Sequence, residues 1–229
     1  MTKRILAISP HSDDVELGLG GYLHRENVRS TIPCHTQVVV IAQGSGSASR
    51  QRPTDGWVRN EEGSAAGQVL GCASYDFVGL APDGAFGSTP RGGLVKSLEH
   101  FFYAEGPWDE VFIPLPSYHT DHTVTYEACL AALRMRKGFV SPRRIFAYEY
   151  PANCWGPQAP ATGKVYAALQ PADLQAKLAA LAKHSSQWVS VPDAPYIGLD
   201  HVEAFAKVRG GECAAPAAEL FYLLREIGA

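Results

Sequence analysis

Short apolar runs alternate with amphipathic stretches along the first two-thirds of the chain. Residues 4–9, 37–42, 74–80, 110–115 and 144–150 read as strands, and about 15–26, 56–70, 93–105 and 123–136 read as helices. Several strand runs are apolar throughout rather than alternating, as strands covered on both faces are. Strand–helix alternation of this kind builds a parallel sheet through right-handed crossovers. In the last third, 164–169 reads as a strand and 172–184 as an Ala-rich helix. Residues 156–163 and 192–198 read as loops, and 203–208 and 219–224 as short elements whose type the pattern leaves open. The expectation is an α/β fold: a Rossmann-like three-layer sandwich with a mostly parallel sheet. It forms one domain over 1–229, with a core at about 1–150 and a C-terminal extension at about 151–229.

Composition narrows the function class. The 229 residues suffice for a full-sized core, and 46% hydrophobic with 19% charged is ordinary globular usage. A formal net charge of -3 gives no basic excess for a nucleic-acid partner. Apolar runs such as 38–42 are far shorter than a bilayer requires, so no membrane span is expected. The first residues turn charged at once and lack the pattern of a secretion signal. Five cysteines without a CxxC pair read as reduced thiols of a cytoplasmic protein. Any metal must then be held by histidine and carboxylate.

Two clusters carry candidate chemistry. His11-Ser12-Asp13-Asp14 follows the first strand, and His119-Thr120-Asp121-His122 follows the fourth. The C-terminal ends of parallel strands share one edge of the sheet, where ligands bind. The two clusters should therefore meet. Zinc takes histidine nitrogen and carboxylate oxygen, and a catalytic site uses three protein ligands and a water. A His–Asp–His set can be drawn from these residues, with polar groups left over to move a proton and stabilise an oxyanion. Each cluster has a plainer reading. Asp13 or Asp14 serves equally well as a helix cap, and a lone HxxH is most often a polar loop. Helix capping, however, does not call for the second cluster at all.

Other features are weaker. Gly44-Ser45-Gly46-Ser47 after the second strand suits a pocket wall or a surface loop, with Arg50 and Arg52 just beyond. Tyr150 and Trp155 fit an aromatic wall or the edge of the core. Tyr118 either reaches toward a substrate carbonyl or is buried with an ordinary hydrogen bond. His184 and Gln187 read as capping or packed polar residues. Spacing suggests no partners for His24, His35, His100 and His201, which read as surface or core.

Residues 10–21, PHSDDVELGLGG, resemble the first motif of the LmbE-like, or PIG-L, deacetylase family, usually written (A/G)HPDD(E) before a Gly pair. Residues 118–122, YHTDH, resemble its HxDH motif. The likeness continues through Arg59-Asn60-Glu61-Glu62 with Ala65-Ala66 and Leu70-Gly71, through Lys183-His184-Ser185-Ser186-Gln187, and through Arg209-Gly210 and Ala218-Glu219 with Phe221. The resemblance implies that His11, Asp14 and His122 are zinc ligands and that Asp13 is the general base. It implies that His119, when protonated, stabilises the oxyanion or protonates the leaving amine, and that Asp121 orients His119. Arg59 lies where the family has an arginine near the substrate, although an RxxE pair on a helix is as often an intrahelical ion pair. Gly44 and Tyr118 complete the expected substrate contacts.

Ser12 replaces the usual proline, and Glu16 comes one place later than the usual acid. Both departures resemble the bacillithiol-pathway branch, which reads HADDVE. The function this implies is zinc-dependent removal of the N-acetyl group from an N-acetylglucosamine-type conjugate, giving acetate and a free amine. Iron(II) suits the same donors. The alternatives are the same site acting on a non-sugar amide or longer N-acyl group, and a non-catalytic nucleotide- or sugar-binding module. The expected partner is a small-molecule glycoconjugate, and the family's habit of assembling makes a homo-oligomer an expectation too.

Overall fold

The computed structural model describes residues 2–43, 55–151, 163–187 and 198–228. Gly44, Arg50, Arg52 and Trp155 lie outside them. Seven strands form one sheet in the order β3-β2-β1-β4-β5-β7-β6. β1 (Lys3–Ser9), β2 (Cys34–Ala42), β3 (Ser74–Ala81), β4 (Glu110–Pro114) and β5 (Arg144–Tyr148) run parallel. Each falls where the apolar runs predict, and β4 is buried at every position. The intervening helices are α1 (Asp14–His24), α2 (Gly56–Val69), α3 (Arg91–Glu99) and α4 (Thr120–Ala132). Two buried clusters flank the sheet, one containing Leu6, Ile8 and Ile113 and the other Ile5, Ala7 and Phe112. The alternating faces of β1 and β4 thus supply both cores, which makes three layers. Among the described residues, no helix is long and apolar enough to cross a membrane.

The C-terminal third belongs to the same sheet. β6 (Gly163–Leu169) and β7 (Ala217–Glu226) pair antiparallel, and β7 also runs antiparallel to β5. The element at 219–224 is therefore an interior strand, and 203–208 lies within a helix, α6 (Leu199–Glu212), which follows α5 (Pro171–Leu181).

α1 presses unusually close to the sheet. A Cβ at Gly18 would lie 2.2 Å from the Tyr148 ring, and one at Gly21 would lie 2.5 Å from Leu169. The helix kinks at Leu19, whose φ is -145°. A kink frees backbone groups that burial would otherwise leave unpaired. The C-terminal segments supply their partners. Lys177 donates to the Leu17 carbonyl at 2.8 Å, and Glu219 accepts from the Gly21 and Tyr22 N–H groups at 3.0 and 2.7 Å. Lys177 and Glu219 pair at 2.6 Å, closing the arrangement. The helix that begins with Asp14 is thus held from the far end of the chain.

Candidate functional site

Both clusters sit at the C-terminal edge of the sheet, and the fold brings them together. β1 ends at Ser9, and the chain turns through His11 into α1. The Asp14 carboxylate accepts the His11 backbone N–H at 2.8 Å, which fixes that turn. β4 ends at Pro114, and α4 starts at Thr120, with Asp121 and His122 buried in its first turn. The rings of His11, His119 and His122 lie 4.9 to 5.4 Å apart by centroid.

Among the described residues, two overlapping donor sets occur. The ligand atoms of His11, Asp14 and His122, all buried, lie within 4.8 Å of one another; so do those of His11, His119 and Asp121. A neutral imidazole offers one lone pair, so His11 cannot serve both. Its Nδ1 stands 3.1 Å from Asp14 Oδ2, and its Nε2 stands 3.0 Å from Asp121 Oδ2. Asp121 also accepts the N–H groups of Gly84 at 2.6 Å and Phe86 at 3.1 Å. Its oxygens are already engaged by N–H donors, and His119 is exposed. The Asp14 set is the better cation site. Tetrahedral zinc with bonds of about 2.0–2.2 Å holds its donors about 3.3 Å apart. His122 Nε2 lies 3.3 Å from Asp14 Oδ1, and the His11–Asp14 separation of 3.1 Å is close to the same spacing. The residues fit the ion.

Asp121 departs from expectation. Its hydrogen bonds go to His11 and to the backbone of the loop after β3, so the ring it touches is His11, while its charge still acts to raise His119. The physical reason is its place in the first turn of α4, where the carboxylate faces the incoming Gly84 and Phe86 N–H groups. A carboxylate on one nitrogen of a metal-facing histidine sets its tautomer and leaves the other nitrogen free to bind.

Asp13 occupies the N-cap position of α1 but makes no cap hydrogen bond. The capping reading therefore fails, and the side chain, 19% exposed, is left for other work. Arg59 is buried, pairs tightly with Asp83, and brings its other arm to 3.7 Å from Asp13. Glu62 faces elsewhere, accepting from Ser185 Oγ at 2.9 Å and from Ser186 N and Oγ at 2.8 and 2.6 Å. The RxxE pair is thus not an intrahelical ion pair. Tyr118 is 61% exposed, which overturns the buried reading of it. The Tyr150 ring stands edge-on to His122, with centroids 5.1 Å apart. His24 does have a partner, Asp173 at 2.9 Å.

The sequence offered no sign of Asp83 or of the loop 82–86. Phe86 packs its ring 6.0 Å from that of His11. A short polar turn after a strand carries no spacing signal, and its role depends on a hydrogen bond to a residue far along the chain.

Electrostatics follow from the two carboxylates. Burial pulls the His11 pKa down, but the charge of Asp14 and hydrogen bonds to Asp121 and Asp14 outweigh it and push the value up to about 10. Burial works to raise Asp14, yet the His122 and His11 rings hold its carboxyl well below the usual range. Asp121 is lowered against burial by hydrogen bonds from His11 and the Gly84 N–H. Burial, with the neighbouring His11 and His122 charges, lowers His119.

The family model described as PIG-L, GlcNAc-PI de-N-acetylase, matches residues 6–133, which is more than half of the chain and includes both clusters. The chain belongs to the PIG-L family. An Escherichia coli K12 protein described as an uncharacterized deacetylase, YaiS, is 29% identical over 190 residues, covering 80% of this chain and 91% of its own. Among solved structures, N,N'-diacetylchitobiose deacetylase from Pyrococcus horikoshii superposes with a TM-score of 0.74 at 20% identity, covering 97% of this chain and 84% of its own. GalB, the 4-carboxy-2-hydroxymuconate hydratase of Pseudomonas putida KT2440, superposes with a TM-score of 0.76 at 17% identity, covering 99% and 98%. At such identities the likeness shows the fold alone. Two different activities on it leave function to be argued from the site.

Proposed function

We propose that this PIG-L protein is a metal-dependent N-deacetylase that releases acetate from an N-acetylglucosamine-type conjugate. The observation that carries this reading is the buried His11–Asp14–His122 set with an uncapped Asp13 beside it. His11 Nδ1, Asp14 and His122 Nε2 would hold zinc, and the same donors suit ferrous iron. Zinc bound there supplies Lewis acidity and brings the pKa of water toward neutrality. Asp13 accepts a proton from the attacking water as its oxygen bonds to the acetamide carbon. His119 donates an N–H to the oxygen that becomes negative. Asp13 then returns its proton to the nitrogen as the C–N bond breaks, leaving acetate and a free amine. Arg59 and Tyr118, and Gly44 outside the described residues, are the proposed substrate contacts.

Zinc-loaded protein is expected to release acetate from at least one of a panel of N-acetylglucosamine conjugates. Release from hexanoyl as readily as from acetyl amides would widen the acyl class. No release from any amide, with the metal bound, would sink the deacetylase reading and favour other water chemistry on this fold.

Metal binding should be linked to protons. In the metal-free protein His11 holds a proton that a cation must displace. Its folded pKa of about 10 lies above the ordinary 6.5. Its contribution to metal-free stability is therefore complete below about pH 6.5 and lost as pH rises through about 10. Zinc affinity should rise by about tenfold per pH unit across that window from this one group. Calorimetric titrations in two buffers of different ionisation enthalpy measure the release directly; zinc uptake at pH 7 without proton release would contradict this account of His11.

A further inference from the structure

The Asp13 carboxylate makes no cap hydrogen bond with α1, and Arg59 at 3.7 Å stands beyond hydrogen-bond reach. Beyond that ion pair, its aim comes from the backbone. Behind that backbone lies a buried polar cluster that the proposed chemistry does not use. The Tyr75 hydroxyl, from the start of β3, donates to the Ser12 carbonyl at 2.7 Å. The Glu16 carboxylate lies 3.0 and 3.1 Å from the same hydroxyl. His184 stands 3.7 Å behind Glu16, and both are completely buried.

The Tyr75 ring is itself held in a slot. A Cβ at Gly67 would come 2.7 Å from it, and one at Gly63 would come 3.0 Å from it. The two glycines, four apart on one face of α2, leave room for a ring that any larger residue would displace. The slot fixes the ring, and with it the place of the hydroxyl beside the Ser12 carbonyl.

We propose that Tyr75 is a positioning residue for the general base. Its hydroxyl holds the Ser12 carbonyl and so fixes the Ser12–Asp13 peptide from which the Asp13 carboxylate projects. The inference rests on the reading of Asp13 as the base. Tyr75 acts on the turn beside the ligand set and not on the ligands themselves. Losing its hydroxyl should therefore misplace the base and spare the metal. A displacement of about 1 Å in a reacting group can cost up to about a hundredfold in rate.

Tyr75→Phe keeps the ring in its slot and removes only the hydroxyl. The expected result is a fall of about tenfold in kcat, with KM and zinc content close to wild type and a lower melting temperature, because the buried Glu16 carboxylate loses the same hydroxyl. Crystal structures of both proteins should show the Ser12–Asp13 peptide rotated and the Asp13 carboxylate moved in the variant. An unchanged kcat overturns the proposal, and so does an unmoved carboxylate. Loss of zinc or of the fold together with activity also overturns it, since the bond would then hold the turn as a whole. Inactivity of the wild type on every conjugate counts against the deacetylase reading alone, and the pair of crystal structures still decides the role of Tyr75.

Discussion

Asp13→Asn is expected to lose about a thousandfold in kcat while keeping its full complement of metal. The amide has the volume of the carboxylate but cannot accept a proton from water. Asp13 is one residue from Asp14, yet the donor sets include Asp14 and leave Asp13 out. The substitution therefore should not disturb the ion. Helix stability should hardly change, because the side chain makes no cap hydrogen bond. Steady-state kinetics, elemental analysis and a thermal melt of the same preparation separate these effects. A variant with full activity would remove Asp13 from the chemistry. One that lost metal in proportion to activity would make it a ligand instead.

His11→Ala is expected to lose both metal and activity. Its ring faces Asp14 with one nitrogen and Asp121 with the other, and all three side chains are at most 10% exposed. Removing it takes one donor from the cation site and the shared partner from two buried carboxylates. Stranding a buried charge costs on the order of 3–5 kcal/mol. The metal-free variant should therefore melt well below the metal-free wild type at neutral pH. The difference should shrink at low pH, where Asp14 and Asp121, both depressed in the folded protein, take up protons. A zinc-replete, active His11→Ala protein would refute the ligand assignment.

The parallel half of the fold was legible because its strands are buried on both faces and read as unbroken apolar runs. The segment 219–224 was not, although it is an interior strand. Glu219 breaks the apolar pattern, and its reason for being there is the kink in α1, which no local rule reveals. At the site, His11, Asp13, Asp14, His119, Asp121 and His122 stood out because two polar clusters ended two strands of one sheet. Which histidine Asp121 touches was beyond spacing arguments, since both lie within reach of its carboxylate. Asp83, Tyr75 and the burial of His184 against Glu16 were hidden for the same reason. Each acts through a contact made across the chain rather than along it.

The measurement that bears most directly on a metal-dependent deacetylase is acetate release from N-acetylglucosamine conjugates by one preparation in three states: as purified, stripped by chelator, and reloaded with zinc. Release should vanish on stripping and return on reloading at about one ion per chain. Release that persists in the stripped protein would contradict the account.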